Sequence, residues 1–344
     1  MKFHFVTVLW GEEYTSLYLD LCLPTHLAPG NVPSVTLKAD AVYKIYTTTA
    51  DAERIVSHAS FKSLVAQAPV DVVAVDHLFS TGGVTKSNPL MGMTWLHRMA
   101  VAEAASENAA LVFLTPDMVW SDGFFNRLYE LARMGKRAVM TTGFRTVKET
   151  FAPALRSAFG AGGVISAAPR QLVKLALEHA HPLMDTYFAD SPNFSEAPVN
   201  LYFRVGQEGF VAHCLHLFPA MVWPRNLGAL PVGAIDTDFL TAAVPDPADY
   251  HIVGDSDEMA TFEVSGRGKE QGPIMPNRFS LSSFARFIAR RGDRIHHHFL
   301  RQPIRIHHAD MSNEWEAVGQ NADKIIKQAL GLKKWNRLFI PFAG

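Results

Sequence analysis

Through the first 145 residues, short runs of buried-type apolar positions alternate with segments whose apolar residues recur at helical spacing. The run that organises the rest is Leu111 to Leu114, four apolar residues bounded by a proline, which predicts a strand covered on both faces in an α/β sheet. Asp117 follows it. Ser121 to Gly123 then lead into Phe124 to Met134, where Phe124, Phe125, Leu128, Leu131 and Ala132 repeat with helical period. Phe3 to Leu9 reads as a first strand, Val42 to Tyr46 as a second, Asp71 to Val75 as a third and Lys136 to Thr142 as a fifth. Between them, Tyr14 to Leu23 predicts a helix stopping at Pro24, and Asn88-Pro89 starts another that should run to about Glu107. Strand-helix and strand-loop units in succession predict a mostly parallel sheet.

The pattern is less regular beyond residue 145. Ala168 to His179 predicts a helix, and Asn200 to Val205 with Gly209 to Leu217 reads as a strand pair. Arg278 to Arg305 holds seven Arg, no Lys and one acid, Asp293, beside an apolar stripe of Phe284, Phe287, Ile288, Ile295 and Phe299. This is a basic amphipathic tract. The histidines at 296 to 298 and 307 to 308 could suggest a metal site, but clustered surface imidazoles on a basic face are the commoner explanation. A capping-box-like start at Asn313 to Glu316 opens a last helix running to about Leu330, with Gly331 behind it. Leu78 to Ser87 is either a lid over a ligand or a plain surface loop.

Composition narrows the function classes. At 344 residues with 48% hydrophobic content, the chain has material for one large α/β domain plus an appendage. With 32 basic against 33 acidic residues it carries no global field to recruit nucleic acid. Cys22 and Cys214 lack metal-type spacing and suit reduced core thiols in a cytoplasmic protein. No run approaches the ~18 apolar residues of a membrane span, so a soluble or peripheral protein is expected.

Candidate chemistry gathers at strand ends, where open α/β sheets bind ligands. Asp117 is either a site carboxylate or, like Asp122, a cap of the following helix. Trp10 and Tyr14, flanking Gly11 after the first strand, either stack a nucleotide base or close the sheet edge. Thr47, Asp76 and Arg145 also stand at or just beyond strand ends, and Arg98 projects from the helix before the central strand. Asp236-Thr237-Asp238 and Asp255-Ser256-Asp257 pair acids around one residue, a pattern suited to a divalent cation and a diphosphate but frequent by chance. His213 and His216 lie three apart, so on a strand they face opposite sides.

This order, with LVFLTPDMVWSDGFF at its centre, resembles the nucleotide-sugar-binding half of GT-A-fold glycosyltransferases, and GFVAHCLHLFPAMVWP with GAIDTDFL would fall in the acceptor half. The resemblance implies a bacterial family of this fold. It implies a Rossmann-related mixed sheet flanked by helices over residues 1–260, split at 145/146, with a basic, mainly helical C-terminal extension over 261–344. The activity implied is transfer of a sugar from a nucleotide-diphosphate donor to an acceptor hydroxyl in cell-surface polysaccharide biosynthesis. A catalytically silent GT-A-like scaffold in envelope polysaccharide assembly is the alternative. A nucleotidyltransferase would need a Gly-rich basic loop straight after the first strand, and WGEEY is not one. In the family an Asp-x-Asp holds Mn or Mg and the sugar diphosphate, but here only Asp117 aligns, with Val119 in the second acidic position. The resemblance therefore implies either a site without metal, neutralised by Arg or Lys, or a ligand set completed by Asp122, His216 or the Asp236/Asp238 pair. Asp236 or Asp238 would be the general base of an inverting reaction. The basic extension implies either a peripheral contact with the anionic inner-membrane surface or a stripe packed back on the main domain.

Overall fold

The computed structural model describes the chain except residues 77–88, 227, 231–234, 236, 269–273 and 339–344. Asp236, the segment Leu78 to Ser87, Phe339 and Phe342 lie outside the described residues. The strands in chain order are β1 Lys2–Val8, β2 Asp40–Thr47, β3 Val70–Ala74, β4 Ala109–Leu114, β5 Met118–Trp120, β6 Ala138–Thr141, β7 Arg145–Val147, β8 Gly160–Ala161 and β9 Val164–Ile165. They continue with β10 Asn200–Val205, β11 Gly209–Cys214, β12 Phe218–Val222, β13 Tyr250–Ile252, β14 Thr261–Ser265 and β15 Ile304–His307.

All six residues of β4 are buried, and they place it inside a seven-stranded sheet of order β13-β6-β12-β4-β1-β2-β3. Strands β3, β2, β1 and β4 run parallel; β12 enters antiparallel between β4 and β6, and β13 runs parallel to β6. Thr7 pairs with both Ile45 and Leu114, so β1, β2 and β4 finish at one edge. The fold is thus a mixed α/β sheet flanked by helices, with a helical C-terminal region.

The first crossover departs from expectation. Its helix does not stop at Pro24: Glu12–Leu17 continues through a π-helical segment, Tyr18–Cys22, into Leu23–His26. The Leu23 N–H bonds the Tyr18 carbonyl five residues back. This wider turn relieves the clash between a proline ring and the carbonyl four residues before it.

After β4 the chain turns through Thr115 to Asp117 and leaves the main sheet. Strand β5 pairs antiparallel with β14, which pairs parallel with β7. A third sheet, β10-β11-β15, separates two hydrophobic cores by simple alternation. Tyr202, Phe210, Ala212 and Cys214 join the main core, whereas Leu201, Phe203, Val205 and Val211 join a second one with Phe284, Ile288, Trp315 and Ile326.

The stripe of the basic tract is therefore turned inward. Phe284 and Ile288 face the second core, and Ile295 and Phe299 the first. The tract forms helices Leu281–Arg291 and Arg294–Leu300 and ends in β15, whose pairing with β11 joins it to residues before position 261. His296, His297 and His307 are buried, contrary to the expected surface cluster. The last helix, Glu314–Leu338, passes through Gly331 instead of ending before it, since one interior glycine costs only about 1 kcal/mol.

The junction between β11 and the C-terminal strand β15 is tight at Gly209. A Cβ there would lie 1.9 Å from the Ile306 carbonyl oxygen and 2.9 Å from the His307 Cα, both on the partner strand. Gly209→Ala should push β15 off β11 and lower stability by about 1 to 3 kcal/mol. An unchanged midpoint in chemical denaturation would contradict this.

Candidate active site

At the carboxyl ends of β1 and β4 lies a cleft of about 450 Å³, within the range of small-molecule sites. Val8, Leu9, Trp10, Tyr14, Met93, Pro116, Met118 and Phe218 make most of its wall, and Thr115, Asp117 and Glu263 supply the polar groups. Trp10 is half-buried and Tyr14 is 38% exposed, so both rings border the opening.

The corner between these rings is held by an acid that sequence reasoning left unassigned. Asp51 accepts hydrogen bonds from the Gly11 N–H at 2.8 Å, the Thr48 hydroxyl at 2.8 Å and the Thr15 hydroxyl at 3.2 Å. Gly11 has φ +84°, a left-handed conformation that glycine adopts without strain. Its N–H is committed to Asp51, so it shapes the corner between the two rings.

Asp117 sits half-buried on the cleft wall with protein packed around its carboxyl. That burial, then the negative charge of Glu263, raises its pKa from the ordinary 3.8 to about 6, with Arg145 pulling the other way. Neither it nor Asp122 caps the helix that starts after Gly123. Asp122 instead accepts from the Gly30 N–H at 2.7 Å and the Ser166 hydroxyl at 2.6 Å, tying three segments together.

Glu263 comes from β14, opposite Met118 on one side and Arg145 on the other. Its carboxylate meets Arg145 Nε at 2.8 Å and accepts from the Ser265 hydroxyl at 2.8 Å. Sequence reasoning missed it. Its signal was a single acid between the apolar Phe262 and Val264.

The other expected site residues are placed elsewhere or used differently. Thr47 is fully buried, and Asp76 accepts from the Thr49 N–H at 2.8 Å and hydroxyl at 2.6 Å. The Arg98 guanidinium lies over the Trp95 ring at 5.5 Å, on the same helix as the cleft residue Met93. His216 Nδ1 is 3.2 Å from His296 Nε2. Asp238 is exposed in the first turn of helix Thr237–Ala243.

A metal at Asp117 is poorly served by these neighbours. The cleft offers two carboxylates, one already paired with Arg145, and Val119 is buried in β5. Among the described residues, the one group of three ligand-type side chains whose ligand atoms converge is Asp255, Asp257 and His307. What the cleft can do unaided is hold an aromatic or apolar ligand against Trp10 and Tyr14 while Asp117 gives or takes a proton near neutral pH.

No family model and no curated protein matches this chain. Among solved structures it is similar to mouse xyloside xylosyltransferase 1 in its apo form, at 13% identity and TM-score 0.30, over 46% of this chain and 58% of that one. It is also similar to a Bacillus anthracis protein given as a glucose-1-phosphate thymidylyltransferase in complex with a sucrose, at 14% identity and TM-score 0.23, over 43% and 58%. S. aureus TarS aligns over 96% of this chain and 43% of its own, at 10% identity and TM-score 0.30. The chain thus spans less than two thirds of the length of each of these structures.

The raised pKa of Asp117 has a stability signature. The folded state holds its proton up to about pH 6 while the unfolded chain releases it near 3.8, so the charging penalty is absent below about pH 4 and complete above pH 6. Two units correspond to at most about 3 kcal/mol. Asp117→Asn should therefore raise the melting temperature at pH 8 and leave it nearly unchanged at pH 4. An equal effect at both pH values would show that the carboxyl is not strained by its surroundings.

Proposed function

We propose that this chain transfers a sugar from a nucleotide-diphosphate donor to an acceptor hydroxyl, in the assembly of a cell-surface glycan. The observation that carries the reading is the cleft itself: aromatic and apolar walls at the carboxyl ends of two parallel strands, closed by Asp117 and Glu263. Trp10 and Tyr14 would stack the base. Asp117 would take the proton of the attacking hydroxyl, its burial matching that task to neutral pH. Arg145, held by Glu263 at 2.8 Å, would meet developing charge on the leaving diphosphate. No step in this scheme is routed through a metal ion.

A thermal-shift screen against nucleotides and nucleotide sugars tests the binding half. A rise of several degrees with at least one nucleotide sugar is expected, lost in Trp10→Ala; no shift with any of them would sink the reading. With the donor in hand, Asp117→Asn should abolish transfer without unfolding, and substantial activity should survive EDTA. Donor binding with no turnover in the wild-type chain would instead favour a silent scaffold, a reading that the buried Val119 also suits.

The acceptor side includes a proposed contact with an anionic lipid surface. With the apolar stripe buried, that contact rests on charge alone. Arg278, Arg286, Arg290, Arg291, Arg294 and Arg301 are all exposed, and each would contribute about 1 kcal/mol near anionic headgroups. Cosedimentation with anionic liposomes at low salt should be lost in Arg286→Gln/Arg290→Gln/Arg291→Gln and at high salt. Absence of binding at low salt would remove the membrane from the proposal.

A further inference from the structure

Away from the cleft, the turn after β13 and the last strand β15 bring together two carboxylates and a buried imidazole. Asp255 is partly exposed and Asp257 more so, while His307 is 1% exposed. One ligand atom from each lies within 4.8 Å of the others.

The orientation of His307 is the informative part. Its Nδ1 stands 2.7 Å from the Ala309 carbonyl oxygen, a contact that only an N–H can make. In a neutral imidazole the lone pair is then on Nε2, and Nε2 is 2.9 Å from Asp255 Oδ1 and 3.9 Å from Asp257 Oδ2. That contact is satisfied either by a proton on Nε2, which makes the ring a cation between the carboxylates, or by a metal ion standing in that proton's place. A backbone carbonyl on Nδ1 is also how proteins present Nε2 to a metal.

The spacing fits such an ion. A tetrahedral zinc with ligands near 2.1 Å requires ligand atoms roughly 3.4 Å apart, between the two separations observed from Nε2. Two oxygens and one imidazole nitrogen suit a borderline divalent ion, and three protein ligands leave the fourth position for water.

We propose that Asp255, Asp257 and His307 bind one divalent transition-metal ion, Zn²⁺ by the chemistry of the donor set, and that this ion fastens β15 to the main α/β domain. Two guanidiniums compete with the ion, and each can be displaced or bypassed. Arg170 holds both oxygens of Asp257, Nε to Oδ1 at 2.9 Å and Nη2 to Oδ2 at 2.8 Å, and also meets Asp310 at 2.6 Å, so it keeps a carboxylate when the ion displaces it from Asp257. Arg305 Nε contacts Asp255 Oδ2 at 3.1 Å, while the Oδ1 that faces His307 accepts from the Asp257 N–H at 3.0 Å and keeps a second lone pair for the ion. The joint is stitched independently by Ser256, whose N–H bonds the Arg305 carbonyl at 2.9 Å and whose hydroxyl accepts from the His307 N–H at 3.0 Å. The backbones that carry the three ligands are therefore held together before any ion arrives, and only the Asp257 carboxylate has to turn.

The test uses the full chain, stripped with chelator and titrated with Zn²⁺ by calorimetry, with melting followed in parallel. One ion per chain with a raised melting temperature is expected. Asp257→Asn, a conservative change at a partly exposed position, should weaken that binding at least about tenfold and abolish the thermal gain. Arg170→Gln should bind Zn²⁺ at least as tightly as the wild type, because it removes a competitor for Asp257. The proposal is overturned if the wild type takes up no ion, or if Asp257→Asn binds with unchanged stoichiometry and affinity; the cluster is then a knot of proton and guanidinium alone. Asp117→Asn should keep the ion, which makes this result independent of the fate of the glycosyl-transfer reading.

Discussion

The candidate site depends on one backbone arrangement, the insertion of β14 between β5 and β7. Thr261 to Glu263 pair antiparallel with Met118 to Trp120, and Glu263 to Ser265 pair parallel with Arg145 to Val147. The Val264 N–H donates to the Asp117 carbonyl at 2.7 Å, and the Glu263 N–H to the Phe144 carbonyl at 2.9 Å. These bonds fix three charged side chains from positions 117, 145 and 263 on a small patch, because ladder hydrogen bonding leaves little freedom in register.

Within that patch the charges are distributed unequally. Arg145 gives its short contact to Glu263, and Asp117 is left with burial and a neighbouring negative charge that its more distant attraction to Arg145 only partly offsets. Burial and a like charge act in the same direction on a carboxyl, and together they outweigh one cation at longer range. The result is an acid near the middle of the physiological range on the wall of an apolar cleft. The same logic explains why Asp51 and Asp122, each hydrogen-bonded by several donors, serve as ties.

The C-terminal region is integrated into the molecule by the sheet β10-β11-β15. Its two faces feed two cores, so the amphipathic tract satisfies its apolar stripe internally and turns its arginines outward. An amphipathic helix packed in this way has no apolar face left for a bilayer, whatever its charge. Gly209, facing His307 across β11 and β15, lets the two strands approach closely where the Asp255 turn also meets them.

The main-sheet strands and the helix after Asp117 were legible through residue 145 because each is a local property. Buried strands require unbroken apolar runs, amphipathic helices require a period near 3.6, and both were readable at β1, β2, β4 and helix Phe124–Arg133. The strand-end position of Asp117 followed from the same pattern, as did the place of Trp10 and Tyr14 beside it. Sequence alone did not pair Asp117 with Glu263, or Asp255 and Asp257 with His307, since those partners are separated by 146 and about 50 positions and meet only through strand register. Nor could it tell that Thr47 would be enclosed, that Asp238 would face solvent, or that His296, His297 and His307 would be buried. Periodicity records which face of an element is apolar; what that face meets is decided by the tertiary packing of distant segments, and with it which polar groups share a site.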